Sequence, residues 1–295
     1  MSASRSRMLA ALLVCLAWGC ALERPRPMPF EADAPPFRVH AQDAASAQGV
    51  LADAAKALAA ARTLPGMRTR ESIDVRVTSA QGKAAAGSTR WLGDPRRREG
   101  AWIELSLNQD PQEQRFLLGH ELAHALFDET WQLLPQIVEE GLADHAGETA
   151  SPACGAARRL AHAIRLCSWT GPGLELVENG RVVETLRARL EPDSLPEPAR
   201  MLELDGRSYH DVKPAENREL LYAFGYLIVE RIGVVKLREL CVAARAAGRK
   251  RLAPKELLEA ARLDPSDRRA WIPAIQALVG ERELAAYRLR RPAAR

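Results

Sequence analysis

Alternation of apolar and polar residues predicts two β-strands in the first half of the chain. The apolar residues of "SIDVRVTS" and "AWIELSL" recur at every second position and so share one face of an extended strand. They are Ile73, Val75 and Val77 in the first stretch and Ile103, Leu105 and Leu107 in the second. The residues between them are mostly polar, which is typical of a sheet with one face in the core and one in water. We therefore predict a small, half-buried sheet near the N-terminus.

Helical signals dominate the rest of the sequence. An alanine-rich helix is predicted from about Asp43 to Thr63, where "LPGM" ends it. Another helix begins at Pro111, because Asp110 can cap its N-terminus and Glu113 stands three residues after this cap, as in a capping box. Beyond residue 135 we predict helices at about 135–148, 154–168, 216–232, 234–247, 254–263 and 267–289, with a less regular, proline- and glycine-rich stretch at 169–215.

These elements predict an α+β fold. A small N-terminal sheet packs on the helix that begins at Pro111, and a mostly helical C-terminal lobe follows. We expect the folded domain to cover residues 43–295, with an α/β lobe at 43–130 and a helical lobe at 131–295. The chain of 295 residues is long enough for one large domain or two such lobes.

The first 42 residues differ in kind from the rest. Residues 1–20 combine a positively charged start, an apolar run of about eleven residues and a "GC" pair, which is the layout of a secretory signal peptide. Residues 21–42 are rich in proline and lack apolar periodicity, which predicts an extended linker. The protein is therefore expected to be exported.

The segment "LAWGC" resembles a bacterial lipobox, in which the cysteine is lipidated and becomes the new N-terminus. Gly19 and Cys20 fit this pattern, whereas Ala17 and Trp18 are less usual at their positions. Two outcomes stay open. The protein is either a cell-envelope lipoprotein attached to the membrane through Cys20, or a periplasmic or secreted protein released by cleavage nearby.

Two of the remaining cysteines, Cys154 and Cys167, are candidates for a disulfide in an oxidising envelope. Thirteen residues of continuous helix would hold their thiols about 20 Å apart, so a bridge requires a break in the helix between them. No CxxC pair is present, and we do not interpret these cysteines as metal ligands.

Charge and composition limit the kinds of binding partner that we expect for this protein. Apolar residues make up 47% and charged residues 27% of the chain, as in ordinary globular proteins. The formal net charge is +4, and the short basic runs "PRRRE" and "YRLRRPAAR" lack interleaved aromatic residues. We interpret these runs as a solvated loop and tail, and we predict no nucleic-acid partner.

The segment "HELAH" carries the pattern with the clearest chemistry. His120 and His124 are four residues apart, so on a helix their imidazole rings lie one turn apart on one face and can share a metal ion. Glu121 projects about 100° round the helix, where its carboxylate can reach a metal-bound water instead of the metal. Two neutral imidazoles and one carboxylate suit Zn²⁺ and leave a fourth position for water. We therefore predict one zinc ion per chain, with Glu121 as general base.

The third ligand must come from another part of the chain. The metzincin pattern requires a glycine three residues after the second histidine and a histidine three residues further, but Phe127 and Thr130 occupy these positions. The next predicted helix contains "IVEEGLADH", which offers Glu139 and Glu140. Glu140 shares a helix face with Asp144, whereas Glu139 projects to a different side. The residues alone leave both glutamates as candidates.

The succession of "HELAHALF" and "IVEEGLADH" resembles the gluzincins, the thermolysin-like zinc metallopeptidases, and in particular bacterial envelope proteins with HExxH and EGxA motifs. The resemblance is sharp over residues 120–144 and looser over the wider range 100–245. It implies that Glu140 is the third zinc ligand and that Asp144 holds a zinc-binding histidine from behind. A solvated helix aspartate is the alternative for Asp144. The resemblance also implies that "WIELS" is an edge strand alongside which a peptide substrate adds.

A peptidase also needs a donor for the oxyanion that forms at the attacked carbonyl. Tyr222 lies in "ENRELLYAFGYLIVERIG", which resembles the downstream helix of the same proteins, and His210 in "RSYHD" is the second candidate. Core packing is the alternative role for the tyrosine.

The sequence thus predicts an exported zinc metallopeptidase that hydrolyses bonds in peptides or envelope proteins. The alternative is a non-catalytic envelope binding or scaffold protein that retains the fold. The joint presence of His120, Glu121, His124 and Glu140 favours the enzyme, because a scaffold needs no general base.

Overall fold

The computed structural model describes residues 28–79, 86–91, 100–107, 110–170, 174–186, 197–205, 211–212, 215–264, 266, 271–278 and 287–289. The protein is a mixed α/β molecule in which a five-stranded N-terminal sheet is followed by helices, which fits the predicted α+β class. The chain divides into two compact units. Unit 1 comprises residues 1–132 and 143–155, and unit 2 comprises residues 133–142 and 156–295.

The sheet of unit 1 contains β1 (Phe30–Ala34), β2 (Phe37–Ala41), β3 (Ile73–Ser79), β4 (Ala86–Trp91) and β5 (Ala101–Leu107). Its order is β1-β2-β3-β5-β4, in which β2, β3 and β5 run parallel while β1 and β4 pair antiparallel at the two edges. The two predicted strands are confirmed as β3 and β5. Because β4 lies outside β5, "WIELS" belongs to an inner strand, and the expectation that it forms the edge is wrong.

Two helices pack on this sheet and on each other: α1 (Ala44–Ala61) contacts β1 and β2, and α2 (Pro111–Leu126) contacts β4 and β5. The buried residues alternate along the inner strands and include Val39, Ile73, Val75, Val77, Ile103 and Leu105. Asp43 caps α1 by accepting from the Ser46 amide at 2.8 Å, and Asp110 caps α2 by accepting from the Gln112 amide at 2.9 Å. Both predicted helix starts are confirmed.

Unit 2 is mainly helical. Helix α3 (Gln136–Ala150) belongs to it only as far as residue 142, and α4 (Pro152–Thr170) belongs to it from residue 156. Its other helices are α5 (Pro198–Met201), α6 (Ala215–Ile232), α7 (Val234–Ala246), α8 (Pro254–Ala261) and α9 (Ile272–Leu278). A small antiparallel sheet of order β7-β6-β8 consists of β6 (Leu174–Glu178), β7 (Arg181–Leu186) and β8 (Tyr287–Leu289). Trp169, Phe224 and Trp271 form a buried aromatic cluster, in which the rings of Phe224 and Trp271 stack with centroids 4.9 Å apart.

Several sequence predictions are corrected. Residues 30–41 form β1 and β2 instead of an extended linker, and the adjacent prolines Pro35 and Pro36 lie in the turn between them, where no ladder hydrogen bond is needed. The stretch 169–215 contains the β6–β7 hairpin, whose turn residues Asn179 and Gly180 have positive φ, as a two-residue hairpin turn requires. Within 267–289, the described residues are helical at 272–278 but form a strand at 287–289.

Helix α4 runs unbroken from Pro152 to Thr170, so Cys154 and Cys167 are not bridged to each other. Among the described residues, no helix is both long enough and apolar enough to cross a membrane. The predicted signal peptide, with Cys20, lies outside the described residues.

Candidate metal centre

Helix α2 carries three of the predicted site residues and is buried over most of its surface from residue 116 to residue 126. His120 is 4% exposed and Glu121 is 3% exposed, whereas His124 is half-buried. Buried polar side chains need hydrogen-bond or metal partners, because desolvation without a partner is costly. The contacts of these three residues therefore define the chemistry of the site.

Two glycines let α2 and α3 approach closely within unit 1. A Cβ atom on Gly119 would lie 2.8 Å from a side-chain carbon of α3, and one on Gly147 would lie 2.8 Å from the carbonyl oxygen of Phe116. Such contacts are too short for a close-packed interior, so larger residues here would force the helices apart. The close crossing brings His120 of α2 next to Asp144 of α3.

Asp144 determines the tautomer of His120. Its Oδ1 lies 2.8 Å from Nδ1 of the imidazole, and both side chains are buried. An ionised carboxylate only accepts hydrogen bonds, so Nδ1 carries the proton and Nε2 keeps its lone pair. Because Asp144 is only 1% exposed, the alternative of a solvated helix aspartate is wrong.

The Nε2 atoms of His120 and His124 lie 3.2 Å apart. In a tetrahedral site, two imidazole nitrogens that are each about 2.0–2.1 Å from zinc are separated by about 3.3 Å. The spacing therefore fits two ligands of one zinc ion. At this distance one ring can also donate a hydrogen bond to the other when no metal is bound.

Glu140 lies on α3 one turn before Asp144. His120, His124 and Glu140 each offer one ligand atom, and these atoms all lie within 4.8 Å of one another. Glu139, the other candidate, is not part of this group. His120 is buried, whereas His124 and Glu140 are half-buried. Two imidazoles and one carboxylate are a donor set that suits zinc.

The edge strand β4 holds Glu121. Oγ1 of Thr89 lies 2.8 Å from Oε2 of Glu121 and 2.9 Å from its main-chain oxygen. Gly87 lies two residues earlier on the same strand, and a Cβ atom there would be 2.6 Å from Oε1 of Glu121. The carboxylate of Glu121 is not among the three grouped ligands, which suits a general base.

Of the two predicted oxyanion donors, Tyr222 is described and His210 lies outside the described residues. Tyr222 is half-buried on α6 in unit 2. Three residues later, Gly225 permits a very close crossing with α3, since a Cβ atom there would lie 1.7 Å from the carbonyl oxygen of Ile137. This crossing brings Gly225 and Tyr226 of α6 against Ile137 and Gly141 of α3.

The supporting residues of the site were not predicted from the sequence. Gly87 and Thr89 lie in "AGSTRW", whose small and polar residues lack the apolar alternation that indicates a strand. Gly119 and Gly147 carry a weak signal, because a glycine within a helical pattern often marks close packing. The sequence pattern does not show which helix packs against each glycine.

Comparisons of this chain with protein-family models, with curated proteins and with solved structures find no match. The resemblance of "HELAHALF" and "IVEEGLADH" to gluzincin motifs therefore stays a prediction from the sequence.

Proposed function

We propose that this protein is a zinc-dependent peptidase, with His120, His124 and Glu140 as zinc ligands and Glu121 as general base. One observation carries the proposal. Two imidazoles and one carboxylate converge in one group, while the carboxylate of Glu121, next in sequence to His120, is bonded to Thr89 instead of joining them. A purely structural zinc site has no use for this additional carboxylate.

The proposed mechanism is metal-assisted hydrolysis. When bound, zinc lowers the pKa of a water molecule and polarises the scissile carbonyl. Glu121 accepts the proton of the attacking water and delivers it to the leaving amine. Asp144 keeps the His120 ring in the tautomer and orientation that leave Nε2 available. Tyr222 or His210 donates a hydrogen bond to the developing oxyanion.

We further propose that the protein acts in the bacterial cell envelope or beyond it. The signal-like residues 1–20 support export, and the "GC" pair supports attachment through lipidated Cys20. The substrate would then be a peptide or protein outside the cytoplasm.

The experiment that tests the proposal measures zinc content and peptide cleavage on the same purified samples. Wild type should contain one zinc ion per chain and cleave members of a proteome-derived peptide library. Glu121→Gln should keep zinc but lose about 10²- to 10⁴-fold in rate, because a positioned base contributes this much. Glu140→Gln should lose zinc, whereas Glu139→Gln, one residue away on the same helix, should keep both zinc and activity.

Each contradictory outcome has a distinct meaning. Wild type without zinc would overturn the whole site. Zinc in both wild type and Glu121→Gln, with cleavage by neither, would favour the scaffold alternative. If Glu139→Gln lost zinc and Glu140→Gln kept it, Glu139 would be the zinc ligand instead of Glu140.

A further inference from the structure

Two residues of the edge strand β4 face the two oxygens of the Glu121 carboxylate. Thr89 Oγ1 lies within hydrogen-bond distance of Oε2, at 2.8 Å. On the other side, Gly87 has no side chain where a Cβ atom would lie 2.6 Å from Oε1 and 2.7 Å from Cγ of the glutamate. On the side of strand β4, the carboxylate is therefore bounded by the Thr89 hydroxyl and by the space at Gly87.

The Thr89 hydroxyl has two acceptors, and both belong to Glu121. Besides Oε2, its oxygen lies 2.9 Å from the main-chain oxygen of the same residue. A hydroxyl carries one proton, so it donates to one of these oxygens at a time, and in either case it remains bonded to Glu121. When the hydroxyl donates to Oε2, it orients the carboxylate towards a single rotamer.

Strand pairing and a branched side chain restrict the position of this hydroxyl. Thr89 is half-buried and pairs with Ile103 of the inner strand β5. Its β-branched side chain has few accessible χ1 rotamers, so the position of Oγ1 is well defined by the backbone. A base held in this way needs less reorganisation before proton transfer than one on a mobile side chain.

We propose that Thr89 is a positioning residue that holds the Glu121 carboxylate in its reactive orientation, with Gly87 providing the space. The inference rests on the proposed function, since it assigns to Thr89 an action through the general base of that reaction. Thr89 itself touches neither the metal nor the substrate in this role.

A matched pair of substitutions separates the hydroxyl from the rest of the side chain. Thr89→Val keeps the β-branched shape and removes the donor, and it should lower kcat by about 10- to 100-fold, the range for losing a hydrogen bond to a charged group. Thr89→Ser keeps the donor and removes the methyl group, and it should stay within about threefold of wild type. KM and zinc content should be unchanged in both variants, because Glu121 is not a proposed zinc ligand.

Gly87 has a matched control in its neighbour Ser88. Gly87→Ala should displace the carboxylate and lower kcat by at least about tenfold, because even a small misplacement of a catalytic group is costly. Ser88 is next on the strand, so its side chain points to the opposite face of the sheet, the face of the groove that it lines with Arg76 and Glu104. Ser88→Ala should therefore leave kcat unchanged.

Failure of this inference can be told apart from failure of the proposed function. A zinc-containing, active wild type together with an equally active Thr89→Val would overturn the inference alone. A low kcat in Thr89→Ser together with a wild-type kcat in Thr89→Val would also overturn the inference alone. The packing of the methyl group would then matter, and the hydroxyl would not. A wild type that contains no zinc and cleaves nothing would overturn both.

Discussion

At the scale of single residues, a buried carboxylate sets the chemistry of one proposed zinc ligand. Asp144 accepts from Nδ1 of His120 and leaves Nε2 available to the proposed zinc ion. We predict that Asp144→Ala lowers zinc affinity by about 10- to 100-fold, the usual effect of losing such a partner. Asp144→Asn should fall between this variant and wild type, because its amide oxygen accepts a hydrogen bond without a charge. Competition with a chromophoric chelator measures the affinities, and equal values in all three proteins would contradict the role of Asp144.

Cys167 is another buried residue with a chemical consequence. Burial raises the pKa of its thiol to about 12, because desolvation disfavours the thiolate. The thiolate is the reactive form, so native protein at pH 8 should leave Cys167 unmodified by iodoacetamide. Cys154 is the internal control, because it lies near the start of the same helix but is half-buried. Mass spectrometry of the peptides measures the extent of alkylation at both cysteines. Fast labelling of Cys167 before unfolding would contradict this prediction.

The same pKa shift gives the stability a dependence on pH. The thiol ionises near 9.0 in the unfolded chain and near 12 in the folded protein. The folded state therefore holds this proton more tightly, and the stability associated with the neutral thiol is complete below about pH 9 and lost as the pH rises towards 12. Urea unfolding at pH 8 and pH 10.5 should show a smaller loss of stability in Cys167→Ala than in wild type. Equal losses in the two proteins would exclude Cys167 as the source.

At the scale of elements, glycines decide how closely helices cross. In unit 2, a Cβ atom on Gly225 would lie 1.7 Å from the carbonyl oxygen of Ile137. A Cβ atom on Gly141 would lie 2.5 Å from the carbonyl carbon of Gly225. In unit 1, Gly119 and Gly147 have the same effect at the crossing of α2 and α3. Helix α3 therefore has one closely packed glycine contact next to Glu140, at Gly141, and another one turn after Asp144, at Gly147.

We predict that Gly225→Ala destabilises the protein by about 1–3 kcal/mol, the usual cost of overpacking a core. Gly49 is the matched control, because it also lies inside a helix but has nothing within 4 Å of a Cβ atom. Gly49→Ala should stabilise the protein by up to about 1 kcal/mol through helix propensity. Urea unfolding followed by circular dichroism measures both free energies. If the two variants were equally stable, the close crossing of α3 and α6 would be excluded.

At the scale of the whole molecule, the proposed zinc ion couples binding to stability. A ligand that binds only the folded state raises the free energy of unfolding, by about 2.7 kcal/mol when its free concentration is 100 times Kd. We predict that a chelator lowers the Tm of the wild type by several degrees and that added zinc restores it. His124→Ala should show no zinc-dependent change in Tm. A zinc-dependent shift that persists in His124→Ala would place the metal elsewhere.

Sequence patterns predicted the elements that carry their own local signal. Strands β3 and β5 alternate apolar and polar residues, and the cap at Asp110 with Pro111 marks the start of α2. Strands β1, β2 and β4 were missed for physical reasons. The first two are short and flank a proline turn, and β4 consists largely of small and polar residues at the sheet edge. Their pairing with neighbours, and not their own hydrophobicity, makes them strands.

The sequence by itself determined that His120 and His124 lie one turn apart on one helix face, with Glu121 beside them. This follows from the helical repeat, which is local and needs no partner. The tertiary structure decided that Asp144 lies behind His120 and that Thr89 holds Glu121, contacts that span 24 and 32 residues of the chain. Both depend on how closely helices cross and on which strand lies at the sheet edge. Such features result from packing over the whole unit, and no short pattern encodes them.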